Sequence, residues 1–337
     1  MIDIFHYSIM FVVLVLIELC YFRFADHFNI IDKPNERSSH HRIVLRGGGI
    51  IFWIGSLVYF VSSDFSYPWF FAGLTLISFI SFVDDVHSVP NRYRLLVHFV
   101  AMMLMFFQWG IITSSNGWLI IPALILCTGI INAYNFMDGI NGITGGYSLV
   151  IMGALAYINA TAIQFVDPQL LMVTILALLV FCFFNYRTRA KCFAGDVGSV
   201  SIAFIILFAL GKLVFATNDL SYIILLAVYG VDSILTIIHR LMLHENIFKA
   251  HRKHAYQLMA NELKIPHVVV SLIYMTIQLL IAIGQIFLPI NHWFYFCIVI
   301  TVLVIVYILF MKKYFHLHLE YENRFCQDST SPETISG

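Results

Sequence analysis

Four stretches of this chain hold most of the residues that could do chemistry. "SFVDDVHSVPNRYR", residues 81 to 94, sets Asp84 beside Asp85 at the end of a long apolar run, in a protein with only 19 acids among 337 residues. Adjacent carboxylates repel, and a low-dielectric surround sharpens the repulsion, so the pair is either a solvated helix end or faces a cation. "NAYNFMDGINGITGG", residues 132 to 146, repeats Asn132, Asn135, Asp138 and Asn141 every three positions, which a helix end would align on one face. Gly139, Gly142, Gly145 and Gly146 in the same stretch would let backbone amides approach an anion; an Asn/Gly turn with no ligand has the same composition.

"FNYRTRAKCFAGDVGS", residues 184 to 199, places Asp196 in a Gly-flanked turn before another apolar run. There it is either a helix N-cap or a ligand for Mg²⁺, which prefers one or two carboxylates plus phosphates and water. "KAHRKHAYQ", residues 249 to 257, supplies His251, Arg252, Lys253 and His254. These suit phosphate and sugar contacts, or attraction to anionic lipid, and lack a third ligand at zinc spacing. Acids converging from several loops need a cation to offset their repulsion. Asp84 and Asp85 are therefore expected to face a metal, within a basic surround of Arg92, Arg94, Arg187 and Arg189. Asp232 lies inside an apolar run, where an ionisable group is functional by default or sits structurally near the interface. Glu18 is expected to snorkel, with no role.

The elements that must position these residues are membrane helices. The chain is 60% hydrophobic and 11% charged, outside the range of ordinary soluble domains. Eleven apolar runs approach or reach bilayer-spanning length: 8–22, 47–62, 68–83, 95–112, 118–134, 142–160, 169–186, 198–215, 221–239, 267–289 and 292–311. The expected fold is an all-α polytopic membrane protein of about eleven transmembrane helices. Residues 1–311 would form a single domain and 312–337 a short polar cytoplasmic tail.

Placing alternate loops on one side collects 18 of the 19 Lys and Arg residues there, leaving only Lys212 opposite. The positive-inside bias then puts the N-terminus outside, the C-terminus inside and the four polar stretches at the cytoplasmic face. The first run has no cationic leader and no small-residue cleavage site, and is expected to be a retained span. Zero net charge over the chain argues against a nucleic-acid binder. The six cysteines show neither metal-like spacing nor an oxidising setting, so no disulfide is expected, and no internal repeat is evident.

Taken in order, "DKPNERSSH" with "RGGG", "DD" with "RYRLLVH", "NAYNFMDGINGI", "FN" with "FAGDVGS", and "HRKH" resemble the polyprenyl-phosphate N-acetylhexosamine-1-phosphate transferases (glycosyltransferase 4 type). The likeness is to the branch that starts O-antigen and other lipopolysaccharide synthesis, and more distantly to phospho-MurNAc-pentapeptide transferase. It covers about residues 26 to 260. Ile43-Val44-Leu45 stands where that family commonly has Pro-x-Pro, and Asn141 where it commonly has a second acid.

The resemblance implies an enzyme of the bacterial inner membrane with its site facing the cytoplasm. It would transfer an N-acetylhexosamine 1-phosphate from a UDP-sugar to undecaprenyl phosphate, releasing UMP, with Mg²⁺ (or Mn²⁺) as cofactor. Asp196 is implied as the main metal ligand, with Asp84 and Asp85 as positioning groups, further metal contacts or, for Asp84, a base. Asn132, Asn135 and Asp138 would line the nucleotide pocket, and Asn185 and Phe193 would hold and stack uracil. Arg46, His251, Arg252 and His254 would bind diphosphate and sugar. The expected partners are the UDP-sugar, the lipid phosphate, the bilayer and a second copy in a homodimer. The competing class is a transporter for an anionic solute, whose binding acids would sit near the bilayer midplane.

Overall fold

The computed structural model describes residues 2–32, 43–113, 117–247 and 251–330. Most of the "DKPNERSSH" motif, the first two residues of "KAHRKHAYQ" and the chain beyond 330 lie outside the described residues. Every one of the eleven expected spans coincides with a helix: α1 Ile2–His27, α2 Ile50–Ser62, α3 Pro68–Val86, α4 Asn91–Trp109, α5 Ile120–Met137, α6 Ile143–Thr161, α7 Pro168–Asn185, α8 Gly195–Thr217, α9 Ala227–Met242, then α11 His267–Phe287 and α12 His292–Thr330. The remaining helix, α10 (Ala255–Gln257), is one short turn that runs into a π-type turn at Leu258–Glu262. The only described strands, β1 (Ile31–Asp32) and β2 (Val44–Leu45), pair antiparallel at one end of the bundle.

Nine helical segments are long and apolar enough to cross a membrane among the described residues. The other two are α2, at 13 residues too short to cross a hydrocarbon core alone, and α4. The latter opens on Asn91-Arg92-Tyr93-Arg94.

Helix α8 is the axis of the fold. Every residue from Val197 to Leu210 is buried, and α2, α3, α4, α5 and α6 all pack on it. Its sequence is apolar all round, with Gly198, Ser199, Ser201, Ala203 and Ala209 among larger residues, as a fully enclosed helix requires. Small residues admit neighbouring helices closely, and Ser201 Oγ meets Ser78 Oγ of α3 at 2.8 Å.

Two expectations are corrected. The 311/312 boundary falls within a helix, since α12 runs unbroken through 39 residues, about 58 Å at 1.5 Å per residue. That far exceeds a hydrocarbon core of about 30 Å. Tyr307, Met311, Phe315 and His318 recur at helical spacing, and α12 lays this stripe on α9 and the histidine loop. Tyr307 hydrogen-bonds Thr236 of α9 at 2.9 Å, and His318 meets Glu262 at 3.2 Å. Glu18 does not snorkel. It is fully buried in α1, with Cys192 Sγ 3.8 Å from its Oε1.

Candidate active site

The paired acids end α3 and meet the start of α8. Asp85 accepts the backbone N–H groups of Asp196 and Val197, each at 2.9 Å, one on each oxygen. Arg46 Nε adds a contact of 2.7 Å to Oδ1. Asp85 thus serves as a helix cap supplied from another helix, satisfying two of the four amides that an α-helix leaves unpaired and lying at its positive end. Gly195 makes room: its φ is +71°, and a Cβ there would strike the Asp85 carboxylate.

The neighbouring contact depends on glycine twice over. A Cβ on Gly49 would overlap Gly198 Cα, and one on Gly198 would overlap Gly49 Cα, so "RGGG" and "AGDVGS" cross backbone to backbone. Hydrogen bonds fix the crossing, with Gly48 N donating to Phe193 O at 2.9 Å and Phe193 N to Leu45 O at 2.8 Å.

Asp84 accepts from Val89 N at 2.7 Å and from Arg94 Nη1 at 2.6 Å. The other arm of Arg94 reaches Asp196 Oδ2 at 2.9 Å, and Arg46 Nη2 approaches Asp196 Oδ1 at 3.6 Å. Burial weakens the case for charge on Arg46, but Asp85 and then Asp196 outweigh it and hold the guanidinium above its usual range. Two arginines and a helix start therefore hold the carboxylate pair. The expectation that both acids face a metal is corrected for Asp85, whose oxygens are already engaged and whose side chain is fully enclosed.

The Asn-rich stretch ends α5 beside this cluster. Asn132 is exposed on the helix, while Asn135 donates to Ser199 Oγ of α8 at 3.1 Å. Asp138, at the C-terminal end of α5, is half-buried. Burial first, and then the charge of Asp196 with smaller contributions, push its carboxyl up to about 7. A hydrogen bond with Thr144 and the charge of Arg46 oppose that rise, and no ion pair reaches the Asp138 carboxylate among the described residues. Asn141 is buried and donates to Arg187 O at 2.8 Å.

Asn185 does not present itself to a base. Its Oδ1 accepts from Gly142 N at 2.7 Å and its Nδ2 donates to Cys192 O at 2.8 Å, so the buried amide clasps two loops together. Phe193 is half-exposed.

The histidine loop reaches the site from the α9 side. Tyr256 donates to Phe136 O at 2.9 Å, tying the loop to the end of α5, and Gly139 is glycine because the Tyr256 hydroxyl occupies the place of its Cβ. His254 is buried against Asp232, with Nδ1 to Oδ1 at 3.3 Å. His251 stands 4.9 Å from His254, ring centroid to centroid. Burial, then the neighbouring His254 and Arg240, push its imidazole down to about 3, so it is neutral. Arg252 is turned away from the expected role: it pairs with Glu262 at 3.2 Å and stacks over Tyr321 of α12 at 4.5 Å.

The structure therefore gathers Arg46, Asp84, Asp85, Asn135, Asp138 and Asp196 at one end of the bundle, with the histidine loop tethered alongside. It gives Asn185 and Arg252 to internal contacts. Sequence reasoning saw Arg94 only as basic surround, although Arg94 links Asp84 to Asp196; its place one helical turn from the "DD" loop was the available signal. Asp232 as the anchor of His254, and Glu18 beneath Gly48, were also missed.

Among the described residues no group of three or more His, Cys, Asp or Glu forms a closed metal-binding set. Mg²⁺ does not require one. Four carboxylates (Asp84, Asp85, Asp138 and Asp196) stand here against the guanidinium groups of Arg46 and Arg94, and neither guanidinium pairs directly with Asp138 among the described residues. Asp138 and the partly exposed Asp196, near enough for the charge of one to act on the other, are hard oxygen donors. They fit a divalent cation completed by phosphate and water.

The chain was compared with known proteins. The family model described as glycosyl transferase family 4 matches residues 67–213. A probable undecaprenyl-phosphate N-acetylglucosaminyl 1-phosphate transferase of Bacillus subtilis (strain 168) is 28% identical over 253 residues, covering 69% of this chain and 70% of that protein. The undecaprenyl-phosphate alpha-N-acetylglucosaminyl 1-phosphate transferase of Yersinia pestis is 26% identical over 258 residues, with coverage of 69% and 70%. The protein of that name from Escherichia coli K12 is 27% identical over 206 residues, with coverage of 55% and 56%.

Proposed function

We propose that the chain is a member of glycosyl transferase family 4 that transfers an N-acetylhexosamine 1-phosphate from a UDP-sugar to undecaprenyl phosphate, releasing UMP. The observation that carries this reading is the convergence of acids from α3, α5 and α8, with Arg46 and Arg94 cross-linking Asp84, Asp85 and Asp196 and no guanidinium paired directly with Asp138 among the described residues. Both reactants are anionic, and an acidic site would repel them unless a divalent ion is part of the complex. Mg²⁺ is the ion we assign, held by Asp196 and Asp138; when bound it neutralises the donor diphosphate. A transporter is disfavoured, because the clustered acids lie at one end of the bundle and not along its middle.

The acceptor's phosphate monoester has a second pKa near 6 and is largely dianionic at neutral pH, so it attacks the sugar-bearing phosphorus without a strong base. A bond forms from the acceptor oxygen to that phosphorus, and the bond to the bridging oxygen breaks and leaves with UMP. In such phosphoryl transfers catalysis is mainly positioning and charge stabilisation. Arg94 is placed to do this. Held by both Asp84 and Asp196, it presents a fixed guanidinium beside the donor pair, while the Asp85 cap fixes the Asp196 backbone. Asn135 and the ring of Phe193 border the space left for the nucleotide.

The active end faces the cytoplasm in this reading, on the strength of the 18 Lys and Arg residues of 19 assigned to that side. A reporter fused after Lys191 is expected to read as cytoplasmic and one after Asn218 as external. The substrate test is purified chain with undecaprenyl phosphate, Mg²⁺ and a panel of UDP-N-acetylhexosamines, following UMP and the lipid product. UDP-N-acetylglucosamine is the donor expected to react. Folded protein that releases no UMP from any donor overturns the proposal.

A further inference from the structure

Asp232 lies in the middle of α9, fully enclosed, and more contacts converge on it than on any acid of the site. Its Oδ1 accepts from Ala255 N at 3.0 Å and Thr236 Oγ1 at 3.2 Å and faces His254 Nδ1 at 3.3 Å. Its Oδ2 accepts from the Tyr274 hydroxyl of α11 at 2.6 Å. A carboxylate only accepts, so His254 must carry its hydrogen on Nδ1 toward Asp232.

The other nitrogen of the ring behaves differently. His254 Nε2 is buried and has no hydrogen-bond partner among the described residues. Buried polar atoms are rarely left unpaired, and each exception calls for an explanation. The backbone around it is locked, since His254 N donates to Gln257 Oε1 at 3.2 Å and Gln257 N donates back to His254 O at 3.0 Å. Two residues on, Tyr256 ties the loop to Phe136 O, two residues from Asp138. The ring centroid of Phe136 lies 6.5 Å from that of His254. One face of the imidazole is thus fixed by a carboxylate, and its unpaired nitrogen is tethered next to the acid end of α5.

We propose, resting on the transferase reading above, that Asp232 is a positioning residue that acts through His254. It holds Nδ1–H so that Nε2 meets the donor diphosphate. A phosphate oxygen accepts only, so the contact requires Nε2–H as well as Nδ1–H: the ring takes up one proton from solvent as the diphosphate binds, and Asp232 supplies its counter-charge. No proton is transferred by this ring in the chemical step. The hydrogen bond strengthens as negative charge grows on the departing UMP, so its loss shows in kcat more than in KM.

The alternative is a packing hub, in which Asp232 merely joins α9, α10 and α11. A double-mutant cycle separates the two. Purified wild type, Asp232→Asn, His254→Ala and the double variant are compared for UMP release and for thermal unfolding in detergent. Each single variant is expected to lose about tenfold or more in kcat, on the scale of removing a partner that orients a functional histidine, with KM for undecaprenyl phosphate unchanged. The double variant is expected to be no slower than His254→Ala.

Losses that multiply in the double variant, or wild-type turnover in His254→Ala, overturn the proposal. Tyr274→Phe provides a second arm if Asp232→Asn does not fold. It removes a contact to Asp232 without touching His254, so it should lower the melting temperature and leave kcat unchanged; a fall in kcat equal to that of His254→Ala favours the packing hub and overturns the proposal. Wild-type protein that releases no UMP overturns the transferase reading itself, and this inference with it.

Discussion

At the end of the bundle where α7 begins, Asp167 accepts from Gln169 N at 2.9 Å and from the Tyr59 hydroxyl at 3.1 Å. Asp219 does likewise at the 3₁₀ turn Leu220–Leu226, accepting from Ser221 N at 2.9 Å and facing His292 at 2.8 Å. Each of these two acids is satisfied by the start of its own helix and a side-chain neighbour, as ordinary N-caps are. At the opposite end Asp85 caps a helix 111 positions away, Asp84 and Asp196 share one arginine, and Asp138 has no ion pair among the described residues. The same residue type thus does two things. Where caps are local the acids maintain structure; where they cross between elements they leave charge over, and that surplus is what a metal and a phosphate can use.

Substitutions that should break this contrast differ most in what they do to turnover. Asp196→Asn is expected to lose roughly 10²–10³ in UMP release, the scale of removing one preorganised electrostatic group, with a nearly unchanged melting temperature. Gly49→Ala forces apart the crossing with Gly198. It is expected to cost about 1–3 kcal/mol of stability, as overpacking does, and most of the activity as well, measured as yield, melting and turnover together. Asp167→Ala should be its mirror at the far end, costing about 0.5–2 kcal/mol as a lost N-cap while kcat stays at the wild-type value.

The smallest effect concerns Asp219. Burial opposes its charge, but Ser221 and His292 outweigh burial and hold the carboxyl below its usual range. A depressed pKa contributes stability above the unfolded value, about 3.9 for Asp, and that contribution fades as pH falls through the folded value. Melting temperature should therefore fall between about pH 5 and pH 3 in wild type. The fall should be shallower in Asp219→Asn, with turnover at neutral pH the same in both.

Much of the architecture could be read from residue order alone. Each apolar run became a helix because a bilayer-length apolar segment has no other way to satisfy its backbone, and the acids flanking α3, α5 and α8 did meet. What could not be read was which partner each acid takes. Asp85 reaches Asp196 and Val197 only because Gly195 adopts a positive φ and α3 ends beside α8. The family resemblance offered Asn185 as a uracil ligand, whereas its amide joins Gly142 to Cys192 across a loop closure that local spacing does not reveal. Helix α12 was cut short at residue 311 because Lys312 and Lys313 end the apolar run, although Tyr307, Met311, Phe315 and His318 carried the helical period onward.

The central claim is that Asp138, which no guanidinium pairs directly among the described residues, shares a divalent ion with Asp196 while the transferred phosphate is attacked. The measurement is the Mg²⁺ dependence of UMP release for wild type and Asp138→Asn, each purified in detergent with undecaprenyl phosphate and UDP-N-acetylglucosamine. The account predicts that the variant melts as wild type does, needs at least about tenfold more Mg²⁺ for half-maximal rate, the scale of a lost contact in a metal site, and turns over more slowly even at saturation. An Asp138→Asn enzyme with the wild-type rate and the wild-type Mg²⁺ curve would contradict it.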